Sequence, residues 1–122
     1  MADTTNRVSG TAYLTVDGTS YPLVGELQYC VSSVTRETVV GQDTVHGYKE
    51  KPHPGYISGT FRDTAGLTVA NINSMTNVTV IAELANGKNI VARNAWTVEV
   101  QEVKTEEGTF DVRWEAMSVE EA

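Results

Sequence analysis

Apolar and polar residues alternate along most of this chain, the pattern typical of half-buried β-strands. The first such run, Val8 to Val16, is followed by Asp17-Gly18, a residue pair suited to a tight hairpin turn. The second run extends from Tyr21 to Cys30. Pro22 lies at its start and cannot donate a hydrogen bond to a neighbouring strand, which predicts that this strand begins at a sheet edge.

Further alternating runs predict strands at residues 34–40, 56–62, 78–84, 89–93, 95–104 and 110–117. Asn86-Gly87 predicts a hairpin turn within this series. The period changes only at residues 67–76, where Val69, Ile72 and Met75 recur at helical spacing. We expect a short α-helix there, with Thr68 or Asp63 at its start and Asn77 at its end.

About eight amphipathic strands with one flanking helix predict a mainly β fold. We expect an antiparallel β-sandwich or half-open barrel of two packed sheets. Composition supports this prediction, because Val, Thr and Ile make up 37 of the 122 residues. The length fits a single β domain over residues 8–117, with a flexible N-terminal arm at 1–7 and a flexible C-terminal tail at 118–122.

Residues 41–55 differ from the rest of the chain. This segment contains three of the ten glycines, two of the three prolines and both histidines, but few apolar residues. Its length and polarity predict a long loop or hairpin extension with a functional role.

The sequence offers little that suits catalysis, a metal or a cofactor. Both histidines lie in the 41–55 segment, and no nucleophile elbow or glycine-rich phosphate loop accompanies them. The single cysteine, Cys30, excludes an internal disulfide and multi-cysteine zinc sites. Trp96 and Trp114 both lie on the apolar phase of their strands, so we expect them in the core. We therefore predict a protein that is not an enzyme and that binds no metal or cofactor.

The net charge of −7 argues against a protein that coats nucleic acid, which would present a basic face. No apolar run is long enough to span a membrane, and no signal peptide is evident at the start. We expect a subunit that is soluble, is made in the cytoplasm and does not bind membranes.

Several segments, in this order, resemble the tail tube proteins of Mu-like tailed bacteriophages. They are Thr11 to Gly18, Val45 to Ile57, Leu84 to Lys88 and Trp96 to Glu99. The most specific element is Lys-x-x-Pro-Gly-Tyr-Ile at residues 51–57, and the resemblance extends from about Val8 to Met117.

The resemblance implies a structural protein of the phage tail that stacks as rings, generally hexameric, around a channel for the genome. It implies that the 41–55 segment contacts an adjacent subunit or ring. The residues expected in that contact are Gly41, Gln42, Asp43, Val45, His46, Tyr48, Lys49, Glu50, Lys51, Pro52 and His53.

In such a channel, carboxylates on one strand face would repel DNA and so prevent it from binding the wall. The candidate lumen acids are Glu26, Glu83, Glu99, Glu102, Asp111 and Glu115. Acids on an outer surface would look the same in the sequence, since their role there would be to keep the protein soluble.

The resemblance also implies partners: other copies of the chain, and the tail sheath, tape measure, baseplate hub and tail terminator proteins. Phage DNA would pass through without specific binding. The protein would be assembled in the host cytoplasm and would end in the virion tail. Three alternatives stay open, namely a tube subunit of a tail-like bacteriocin or injection machine, a small-ligand-binding β-barrel, and an acidic inhibitor that mimics DNA.

Overall fold

The computed structural model describes residues 5–8, 10–64, 68–99 and 101–122. These residues form ten β-strands and one short α-helix. The strands are β1 (Tyr13–Val16), β2 (Thr19–Tyr21), β3 (Leu23–Cys30), β4 (Val34–Val40), β5 (Val45–Pro52), β6 (Gly55–Arg62), β7 (Val78–Glu83), β8 (Asn89–Val98), β9 (Val103–Lys104) and β10 (Thr109–Glu121). The helix, α1, spans Val69–Asn73. The mainly β prediction is confirmed.

Eight of the strands form one antiparallel sheet in the order β2-β1-β7-β8-β10-β6-β3, with β9 paired to β10. The two end strands of this order, β2 and β3, are consecutive in the chain and are joined by Pro22 alone. The sheet must therefore curl until its two ends meet at Pro22, whose carbonyl accepts a hydrogen bond from the Arg62 amide at 3.0 Å. The result is a half-open barrel, and β3 lies at a sheet edge as Pro22 predicted.

The inside of the curl is filled by apolar side chains. Phe61 lies at its centre, with ring centroids 5.8 Å from Trp114, 6.1 Å from Phe110 and 6.4 Å from Tyr21. The buried residues are Leu14, Val16, Ile57, Phe61, Ile72, Val80, Ala82, Ile90, Ala92, Ala95, Phe110, Val112, Trp114, Ala116 and Val119. Most of them lie on the strand phases that the sequence assigned to the core, and the prediction for Trp114 is confirmed.

Helix α1 is shorter than the predicted 67–76. It begins after Thr68 and ends at Ser74, so Asn77 does not end it, and the Thr68 side chain makes no capping hydrogen bond. Ile72 packs into the core, while Thr97 donates its hydroxyl proton to the Ile72 carbonyl at 3.1 Å. Contact with β8 and the core therefore holds this single turn, since an isolated helix so short would not be stable.

The core prediction for Trp96 is wrong. Asn94 adopts a left-handed backbone conformation with φ of 54°, and the β7–β8 register shifts by one residue between Val78 and Val80. This irregularity reverses the phase of β8, so that Ala95 is buried and Trp96 lies half-exposed on the opposite face. Alternation in the sequence gives no sign of such a shift.

The chain ends differ from expectation as well. The predicted flexible tail, 118–122, is instead part of β10, which pairs with β8 as far as Glu121. Ion pairs from Lys88 to Glu121 at 2.7 Å and from Arg93 to Glu120 at 2.9 Å accompany this pairing. Of the predicted N-terminal arm, residues 1–4 lie outside the described residues, and the Arg7 Nε donates to the Ala85 carbonyl at 2.9 Å.

Candidate functional site

The segment predicted as a long loop or hairpin extension is a hairpin. Strands β4 and β5 pair with each other from Val34–Pro52 to Val40–Val45 and form a sheet of their own. All eight residues of β5 are exposed, as are six of the seven in β4. At its base, the His53 amide donates to the Ser33 carbonyl at 2.9 Å. This hairpin arm, residues 34–52, thus lies outside the hydrophobic core.

Charged pairs cross the hairpin arm, and apolar residues lie near its tip. The side chains of Arg36 and Glu50 approach to 3.6 Å, and those of Lys49 and Glu37 to 3.5 Å. Near the tip, the most exposed apolar side chains are Val40, Val45 and Tyr48, each more than 60% exposed. A two-stranded hairpin without a core is marginally stable in water, so this arm is suited to packing against another surface.

The histidines have no arrangement typical of catalysis. His46 Nε2 lies 3.3 Å from Asp43 Oδ1 at the exposed tip, while His53 is half-buried at the base. Within the described residues, no group of three or more His, Cys, Asp or Glu side chains could hold a metal ion. Nor is any described helix long and apolar enough to cross a membrane.

Most of the candidate lumen acids gather on one face of the sheet, opposite the core. Alternation along β10 buries Phe110, Val112 and Trp114 and so directs Asp111 and Glu115 outward. A groove of about 360 Å³ on this outer face is lined by Glu26, Gln28, Ser58, Gly59, Thr60, Val98, Glu99, Glu102, Lys104, Asp111, Val112 and Arg113. Four of the six predicted acids therefore share one groove, and Glu115 lies beside it. We call these five carboxylates the acidic face.

Glu83 does not belong to this group. It ends β7, where it pairs with Tyr13 on one side and Asn89 on the other, and it does not line the groove. Sequence spacing could not separate Glu83 from the other five acids, because the alternation in the sequence predicted all six on the polar faces of strands. In the structure Glu99 and Glu102 lie in the connection between β8 and β9.

Local backbone geometry places two of the grouped acids. Glu26 and Glu99 have φ of 54° and 65°, a left-handed conformation that is uncommon for residues other than Gly, Asn and Asp. Glu26 lies where the β3–β6 register shifts between Gly25 and Gln28, so a bulge redirects its side chain. The Thr60 hydroxyl then lies 2.6 Å from Asp111 Oδ1 and 3.4 Å from Glu26 Oε2.

Sequence reasoning missed the aromatic and basic residues of this face. Glu115 of β10 is paired with Tyr56 of β6 and Trp96 of β8, which places both rings beside it. Arg113 lies over the Tyr56 ring, with its Cζ 3.8 Å from the ring centroid. The period-2 spacing of Asp111, Arg113 and Glu115 was the available signal, since it places all three side chains on one face.

A second groove, about 690 Å³, lies where the barrel is open. It runs between β3 and the segment before β1, and its apolar lining includes Leu23, Leu27 and Leu84. The barrel interior itself is filled by the core around Phe61 and Trp114, which argues against a ligand-binding barrel.

The sequence of this chain matches proteins of phage tail tubes. The family described as "Phage tail tube protein" matches residues 5–121. A "Mu-like prophage FluMu tail tube protein" from Haemophilus influenzae is 31% identical over 93 residues, which cover 76% of this chain and 78% of that protein.

Two solved structures share the fold at low sequence identity. The sheath/tube terminator of an extracellular contractile injection system, PVC, superposes with a TM-score of 0.64 at 12% identity, over 91% of this chain and 92% of that one. The sheath-tube complex of the same system gives 0.62 at 13% identity, over 96% and 93%. With matches across nearly its whole length, the chain belongs to the phage tail tube protein family and is a structural tube subunit.

Proposed function

We propose that this chain forms stacked, hexameric rings whose joined channels carry a phage genome through the tail and into the host. The observation that carries the proposal is the acidic face. Five carboxylates lie together on the side of the sheet that faces away from the core. In the proposed tube this side lines the channel.

Electrostatics support the channel-lining role. Each lysine or arginine that contacts a phosphate adds favourable counterion release, which would retain DNA on the wall. Around the groove, Glu26, Glu99, Glu102, Asp111 and Glu115 outnumber the cations Lys104 and Arg113. An excess of carboxylates repeated around each ring would repel the DNA backbone from every side and keep the duplex near the axis.

The hairpin arm is the proposed contact between subunits or rings. The expected contact residues are 41–43, 45, 46 and 48–53. Most of them lie in β5, which contributes nothing to the core of its own subunit. The apolar tip at Val40, Val45 and Tyr48 would become buried against a neighbouring copy. A contact between two different surfaces of identical subunits closes into rings or continues as a helical stack.

Proposed partners follow from this assembly. The structurally similar chains come from a sheath-tube complex and from a sheath/tube terminator, which supports a sheath protein around this tube and a terminator at its end. We extend the proposal to the tape measure and baseplate hub proteins of a phage tail, to assembly in the host cytoplasm and to a final location in the virion tail. The likeness to an injection system keeps a tail-like particle as the second candidate.

Electron microscopy of the purified protein at increasing concentration tests the tube. Uniform tubes or stacked rings are expected, and a protein that stays monomeric at every concentration would contradict self-assembly. A count of subunits per ring in end-on views tests the hexamer directly.

Cysteine labelling tests which face lines the channel. The variant Asp111→Cys, made in a Cys30→Ser background, should react in free subunits with both a small maleimide and a bulky polymer-linked one. In tubes it should react with the small reagent only, since the bulky reagent cannot enter the channel. Equal reaction of the tubes with both reagents would place the acidic face on the outside.

A further inference from the structure

An arginine lies among the carboxylates of the acidic face. Arg113 lies between Asp111 and Glu115 on the outward phase of β10. Its Cζ lies 3.8 Å from the centroid of the Tyr56 ring, and its Nε lies 3.6 Å from Glu115 Oε2. The guanidinium is therefore stacked on an aromatic ring and placed beside a carboxylate.

This arginine is more covered than the other ion-paired cations of the described residues. Its side chain is 32% exposed, compared with 62% for Arg36 and 56% for Arg93. Arg36 also lies near a tyrosine, but at 5.7 Å from the Tyr48 centroid. Close stacking combined with an ion pair thus distinguishes Arg113 from the arginines on the exposed surface.

An exposed arginine on a wall along which DNA passes would bind the DNA backbone and slow its passage. Guanidinium groups bind phosphate through paired hydrogen bonds, and each such contact increases DNA affinity. Stacking on Tyr56 occupies one face of the guanidinium, and Glu115 both offsets its charge and approaches its Nε edge. The positive charge can then reduce repulsion among the neighbouring carboxylates, and the partly covered guanidinium is less available to a phosphate than that of Arg36 or Arg93.

We propose that Tyr56 and Glu115 shield Arg113, so that this arginine acts as a counter-ion within the acidic face and not as a phosphate contact. Tyr56 and Glu115 are positioning residues in this role. The consequence for DNA rests on the channel-lining function proposed above. The shielding itself does not, because it is a property of the single subunit.

The first test uses the free subunit and needs no tube. In an ¹⁵N-resolved NMR spectrum of the wild-type protein, the Arg113 Nε–H signal should exchange slowly with water. Tyr56→Leu and Glu115→Gln should each accelerate that exchange, whereas Tyr56→Phe, which keeps the ring, should not. Fast exchange in the wild-type protein would overturn the shielding.

The second test measures DNA retention by assembled tubes. Wild-type and variant tubes are mixed with a labelled linear duplex of about 20 base pairs and sedimented over a range of salt concentrations. Glu115→Gln and Tyr56→Leu should retain more duplex than the wild type. The DNA affinity that the variants gain over the wild type should fall about threefold per exposed arginine contact when the KCl concentration rises from about 50 to about 200 mM.

Two control variants separate shielding from overall charge. Glu83→Gln removes the same charge as Glu115→Gln but away from the acidic face, and it should retain no more duplex than the wild type. The double variant Glu115→Gln/Arg113→Gln should return to the level of Glu83→Gln. Equal retention by Glu115→Gln and this double variant would show that Arg113 is not the cause, and the proposal would fail.

A closed circular plasmid distinguishes failure of the shielding from failure of the proposed channel. A circle cannot thread into a tube, so Glu115→Gln tubes should bind linear duplex but not the plasmid. Binding of both forms would put the acidic face outside the tube while the shielding still held. Binding of neither form above the Glu83→Gln level would overturn the shielding.

Discussion

The hairpin arm can be removed without disturbing the core, and its removal should abolish tube formation. The arm lies between Ser33 and His53, whose backbone groups are already joined by a 2.9 Å hydrogen bond. Replacing residues 34–52 with Gly-Gly therefore bridges a short gap. The main sheet, its register and its buried residues would all stay in place.

The expected change in stability follows from burial and chain entropy. No residue of the hairpin arm is buried, so its deletion exposes little apolar surface of the core. Shortening the connection reduces the loop-closure cost by about 1–2 kcal/mol. We therefore expect the free energy of unfolding to stay equal or to rise by up to about 2 kcal/mol, measured by urea denaturation monitored by tryptophan fluorescence.

Assembly should respond in the opposite way. The deletion variant should stay unassembled at concentrations where the wild-type protein forms tubes, as judged by electron microscopy and sedimentation. A triple variant, Val40→Ser/Val45→Ser/Tyr48→Ser, keeps the hairpin and removes only its apolar tip, so it should weaken assembly with the arm still present. Normal tubes from the deletion variant, or a large loss of stability, would refute the reasoning.

Three further predictions concern the stability of the subunit, each measured by denaturation. Trp114→Ala should lower the free energy of unfolding by about 3–5 kcal/mol. Trp114→Phe should lower it less, because this variant keeps a ring in the core and removes a buried indole N–H that has no partner in the described part of the chain. Gly55→Ala should lower the free energy of unfolding by about 1–3 kcal/mol, because the new Cβ would lie 2.9 Å from the Cys30 carbonyl oxygen. An unchanged free energy of unfolding would mean that β3 and β6 separate easily at this point. The hydrogen bond and charge of Glu121 raise the pKa of Lys88 above its usual 10.5. This pair should therefore stabilise the fold at neutral pH, and the stabilisation should be lost as the pH rises through the raised pKa. In Glu121→Gln, which lacks the pair, this pH-dependent loss should be absent.

The main elements of the fold were open to prediction from local sequence. Period-2 alternation identified the core phases of β3, β6, β7 and β10, because one face of each strand is buried or, in β3, half-buried. Pro22 identified a sheet edge, and the most specific part of the tail tube resemblance, residues 51–57, lies where the hairpin arm returns to the sheet. The family and the candidate acids also came from the sequence.

Tertiary structure alone decided what alternation does not encode. Residues 45–52 form a strand because they pair with β4, and residues 118–121 extend β10 because they pair with β8. The irregularity at Asn94, where the backbone is left-handed and the register with β7 shifts, reverses the phase of β8 and moves Trp96 out of the core.

The candidate site likewise depends partly on local sequence and partly on tertiary structure. Its carboxylates are dispersed from residue 26 to residue 115, and only the curl of the sheet and the bulge at Glu26 bring five of the six together while leaving Glu83 apart. The sequence determined which face of β3, β6, β7 and β10 is polar, because burial requires apolar side chains on the other face. Which polar faces lie side by side depends on strand order and register, and these are set by contacts between residues far apart in the chain.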